Sequence, residues 1–138
     1  MKKWLLAPVL IAWAATFCIA GEIHTEKDTR EDIARHRAIA TAHQQAARCI
    51  SDKTDIAICL TALKASCSGL GVGRYCGLKQ DAWADAAKSL GLTAQAHLAV
   101  AQCYEAGKPY ETCQWDLQTA CKGLAIGKFC GLVHAHAN

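Results

Sequence analysis

Residues 49–78 read CISDKTDIAICLTALKASCSGLGVGRYCGL, and residues 103–132 read CYEAGKPYETCQWDLQTACKGLAIGKFCGL. Laid on one another without gaps, they match at every cysteine: Cys49, Cys59, Cys67 and Cys76 recur as Cys103, Cys113, Cys121 and Cys130, each displaced by 54 positions. A unit present twice must solve one folding problem twice, so a disulfide pattern that suits one copy must suit the other. Leu63 falls on Leu117, Gly69-Leu70 on Gly123-Leu124, and Cys76-Gly77-Leu78 on Cys130-Gly131-Leu132. Val72 lies over Ile126, Arg74 over Lys128 and Tyr75 over Phe129, and farther upstream His43 aligns with His97 and Ala47 with Ala101. The expectation is two tandem repeats, at about 29–80 and 81–134, followed by a short tail.

Working outward, the amino terminus has the layout of a secretory signal. Lys2-Lys3 precedes an apolar stretch from Trp4 to Ile19, closed by the small residue Ala20. We read 1–20 as cleaved and 21–138 as one domain. A retained anchor is disfavoured because the stretch is short for a span and carries Pro8. Cys18 follows Thr16-Phe17, where a lipidation site needs small residues, so it serves the cleavage region. The remaining eight cysteines, an even number in an exported chain, are expected to oxidise in pairs in the periplasm or outside the cell. Loss of Lys2 and Lys3 leaves 13 basic residues against 12 acidic ones, a net charge of +1. So small a charge gives no electrostatic case for nucleic acid or for an anionic membrane surface.

Abundant alanine, the absence of β-branched runs and a proline count of 2 predict an all-α fold. A first helix is expected over about 29–49, capped by Thr29 or Asp28, with Ile33, Ala40, Ala47 and Ile50 at helical spacing. Ser51-Asp52-Lys53-Thr54 then turns the chain into a second helix over about 55–68, ended by Gly69. In the second copy, a helix over about 80–90 is expected to stop at Gly91, another to run over about 93–105, and Gly107-Lys108-Pro109 to turn into a last one over about 110–122. The chain thus reads as two disulfide-stapled helical hairpins in one small domain. The glycines of 69–73 follow a helix and end at a cysteine, the reverse of a phosphate-binding loop, so they are expected only to turn the chain.

Helical geometry selects the staples. Cys59 and Cys67 share a predicted helix and stand about 12 Å apart at about 1.5 Å per residue, beyond the roughly 7 Å that a bridge tolerates. In an antiparallel hairpin turning at Asp52-Lys53, Cys49 lies within about one turn of Cys59. The expected bridges are therefore Cys49–Cys59, Cys67–Cys76, Cys103–Cys113 and Cys121–Cys130, with exchange between copies as the rival arrangement. The segments Cys49–Cys59 and Cys103–Cys113 are similar to those of the twin Cys-x9-Cys helical hairpins of the mitochondrial intermembrane space. We read that resemblance as physical convergence.

Catalysis is not expected. Paired cysteines leave no thiolate nucleophile, Cys-x-x-Cys is missing, and Glu31-Asp32 and Asp52 with Asp55 sit where helix starts favour carboxylates. No two cysteines have the close spacing of a zinc knuckle. His36 and His43, seven apart on one helix face, and His134-Ala-His136 in the tail are expected to be solvated polar residues, and no cofactor is assigned. Surface recognition remains. Arg74-Tyr75 and Lys128-Phe129 form a repeated basic-aromatic pair suited to docking a partner, whereas Trp83, Tyr104, Tyr110 and Trp115 are expected mainly in the core. The reading is an exported module that binds another envelope or secreted protein: an accessory of a conjugation or secretion apparatus, an immunity protein, or an inhibitor of a hydrolase. The alternative is a periplasmic copper or zinc protein using His134 and His136.

Overall fold

The computed structural model describes residues 25–71, 73 and 76–122. Among them the fold is all-α, without strands: α1 (Glu26–Ser51), α2 (Ile56–Gly69), a 3₁₀ segment (Gln80–Asp85), α3 (Ala86–Glu105) and α4 (Tyr110–Cys121). α1 starts three residues before the expected position, because Thr25, not Thr29 or Asp28, is the cap. Its hydroxyl accepts from the Asp28 N–H at 3.3 Å, while the Asp28 carboxylate accepts from the Thr25 N–H at 2.8 Å, a reciprocal capping box. Asp55 caps α2 by accepting from the N–H groups of Ala57 and Ile58.

α3 departs further from expectation. The sequence predicts a break at Gly91, yet the helix runs through it, and the stretch before Ala86 is 3₁₀. Leu90 and Thr93 on either side are fully buried against α1. Burying a leucine is worth about 1.5–3 kcal/mol, more than the roughly 1 kcal/mol a helical glycine costs, so packing overrides the stop signal. Gly107, at φ +71°, does end α3 and turns the chain into α4.

Each long helix pairs with the short one that follows it, and the two hairpins join through α1 and α3. Those helices run antiparallel: Arg37 of α1 grips Glu105 at the end of α3 with N···O distances of 2.7–2.9 Å, whereas Gln44 faces Gly91 near its start. The buried positions of α1 include 32, 36, 39, 43 and 46, and those of α3 include 86, 90, 93, 97 and 100. Both follow the alternating four-and-three spacing of a coiled-coil seam, and they differ throughout by 54. One apolar cluster gathers Ile39, Ala42, Ala46, Leu60, Leu63 and Leu90, and a second gathers Ala96, Val100, Tyr104 and Leu117.

Three expected staples are present. Cys49–Cys59 and Cys103–Cys113 tie the two turns with Cα separations of 5.8 and 5.7 Å, and Cys67–Cys76 holds the loop after α2 at 6.2 Å. Both atoms of a bridge inside one hairpin are thus brought within reach by the antiparallel turn alone. The expected Cys121–Cys130 bridge ends outside the described residues, as do the expected signal segment 1–20, Arg74, Tyr75, Lys128, Phe129, His134 and His136.

Candidate functional site

Two features stand apart from ordinary helix packing: an apolar outer face on α2 and a layer of buried polar side chains between α1 and α3. α2 buries Cys59, Leu60, Leu63 and Cys67, yet its opposite face carries Ala57, Ile58, Thr61, Ala62 and Ala65 in place of charges. Ile58 is 62% exposed. These five residues line an open concavity of about 450 Å³. A second concavity of about 230 Å³ adjoins it, sharing Ala57 and Thr61 and walled by Leu78, Trp83 and Lys64. Together they form one groove along α2, apolar on its floor, aromatic at one end and carrying a cation at its edge.

The aromatic expectation therefore divides. Tyr104 is core and Tyr110 stacks on it with ring centroids 5.9 Å apart, but Trp83 is 38% exposed and Trp115 70%. Both are surface residues among the described ones, Trp83 on the 3₁₀ segment and Trp115 on α4.

The histidines also depart from expectation. His36 and His43 do not face solvent: both are fully buried with His97, Asp32 and Thr93, because the α1 seam itself passes through positions 32, 36 and 43. His36 Nδ1 and His97 Nδ1 are 2.8 Å apart, so one ring donates and the other accepts. Burial pushes His36 down from 6.5 to about 4, which keeps the ring neutral near pH 7. His43 is also lowered by burial, against the opposing effect of its bonds to Ile39 and Gly77. Its Nδ1–H donates to the Ile39 carbonyl at 2.8 Å, leaving Nε2 to accept from the Gly77 N–H at 3.5 Å. Tyr104 lies over His36 with ring centroids 6.0 Å apart, and its hydroxyl accepts from the Gln114 amide. Burial, with the neighbouring Tyr110, Asp32 and Glu111, raises the Tyr104 phenol above its ordinary range.

Chemically, this layer pins the register of two antiparallel helices, since a one-turn slip would strand the imidazoles in an apolar seam. Among the described residues no group of three or more His, Cys, Asp or Glu side chains is arranged to hold a metal ion. His43 explains part of this, both its nitrogens being engaged with backbone. The basic-aromatic pairs that the sequence favours for docking fall outside the described residues, and the α2 groove was not anticipated. Its signal is visible in residues 56–67, which carry a single charge, Lys64, over three helical turns.

Compared with protein-family models, with curated proteins and with solved structures, the chain matches none of them.

Proposed function

We propose that this protein is an exported, disulfide-stapled interaction module that binds another envelope or secreted protein through the α2 groove. One observation carries the reading: α2 is apolar on the face that packs inward and on the face that does not. A helix that is hydrophobic all round is one that is covered all round. The occupant that suits a shallow apolar floor with Trp83 at one end and Lys64 at its edge is a helical segment of the partner, with apolar anchors for the floor and a carboxylate for Lys64. Three bridges support an oxidising location, and no described helix is long and apolar enough to cross a membrane. The two hairpins are read as copies of one unit. An accessory of a conjugation or secretion apparatus, an immunity protein and a hydrolase inhibitor all act through such a fixed docking face, and none requires catalytic groups or nucleic acid.

Ile58→Asp and Ala62→Asp place a carboxylate in the groove without touching the buried face of α2. Both variants are expected to melt as the unaltered protein does and to lose the complex of defined size that native protein forms on size-exclusion of a periplasmic extract. A complex of unchanged size with both variants would refute the assignment.

A further inference from the structure

We propose that His36 and His97 form a buried two-coordinate site for a soft monovalent cation, copper(I) or silver(I), held between their Nδ1 atoms. The two nitrogens already face one another at 2.8 Å across the α1–α3 seam, sharing one proton in the place a cation would take. A linear bridge with bonds of about 2.0 Å needs roughly 4 Å between the nitrogens, so the rings must part by roughly 1 Å. Both rings are wholly buried, and His36 stays neutral down to about 4, so its lone pair is not lost to protonation near neutrality. His36 Nε2 has no hydrogen-bond partner among the described residues and can take up a proton without breaking a bond.

The proton count closes. In the metal-free pair one ring carries its proton on Nδ1 and the other on Nε2; on binding, the first moves its proton to Nε2. Both imidazoles remain neutral, no proton is released, and the cation enters without change of oxidation state. Asp32 is buried one helical turn before His36. Ligand number sets the cation class. With no convergent group of three ligands among the described residues, zinc, calcium and magnesium lack their coordination there, whereas monovalent copper and silver accept two nitrogens in line. A groove of about 180 Å³ opens along the same seam, lined among others by Arg37, which follows His36 in sequence, and Leu98, which follows His97.

Silver(I) titration of the purified, oxidised protein at pH 7 in chloride-free buffer tests this, read by calorimetry and by imidazole ¹⁵N chemical shifts. One equivalent is expected to bind, moving the Nδ1 signals of His36 and His97 and leaving those of His43 in place. His36→Leu is expected to weaken binding at least tenfold; it is a substitution the seam tolerates, since position 90, displaced by 54, is a buried leucine. Deleting 133–138 should leave binding intact. Absence of binding, or binding that survives His36→Leu and disappears with the tail, would overturn the proposal and assign the cation to His134 and His136. The ¹⁵N shifts of the unaltered protein decide the matter even where a variant fails to fold.

Discussion

His36 is the residue whose environment departs furthest from what its type suggests, and it makes the fold acid-sensitive. Its imidazole is neutral in the folded chain down to about 4 but titrates near 6.5 when unfolded. The unfolded chain therefore binds the extra proton between those values, and stability that is complete above the upper one is lost as the pH falls toward the lower. At pH 5 the loss is about 2 kcal/mol. Asp32 and His43 on α1, and His97 and Tyr104 on α3, are the titratable groups around it, and His43, also lowered by burial, adds in the same direction. Urea unfolding at pH 7 and pH 5, with bridges intact, should show the drop, and His36→Leu should remove more than half of it; an unchanged drop would place the sensitivity elsewhere. The sequence displays His36 and His43 seven apart, but hydrophobic periodicity does not reveal their burial. Three of the five seam positions of α1 are polar, so the stripe that normally marks a buried face is broken by the residues that matter.

Most helix ends are legible where a side chain or backbone makes the stop, the Thr25 cap of α1 excepted, and illegible where packing does. Asp55 caps α2, which ends at Gly69 two residues before Gly71 at φ +70°, and Gly107 ends α3 near the expected place, because capping and positive φ are local. Gly91 was misread because the leucine beside it is held by a helix more than 40 positions away in sequence. A Cβ at Gly91 meets nothing within 4 Å, and its backbone is helical. Gly91→Ala should therefore stabilise the protein by about 0.5–1 kcal/mol, measurable as a higher urea midpoint with an unchanged slope. Thr25→Ala removes the hydroxyl half of the α1 capping box and should cost about 1 kcal/mol by the same measurement.

For the molecule as a whole, cysteine spacing carried the architecture. The Cys-x9-Cys intervals mark both hairpins and their two bridges, since an antiparallel turn leaves a cysteine few partners in reach, and the Cys67–Cys76 bridge is the third expected one present. How the hairpins meet was not legible: the α1–α3 seam is a long-range contact that no single helix encodes. Replacing Cys49 and Cys59 together by serine opens a loop with a sequence separation of 10 and should lower stability by about 2–3 kcal/mol in urea unfolding. The setting of the proposed docking comes from the signal-like amino terminus and the cysteines, whereas the proposed surface lies in an α2 segment that reads simply as core. A photo-crosslinking residue placed in living cells at Ile58, Ala62 or Ala65, and for comparison at Ala34 or Gln45 on the exposed side of α1, measures that surface directly. The account predicts one adduct of constant partner mass from the three α2 positions and none from α1; adducts from α1 alone, or from neither helix, would contradict it.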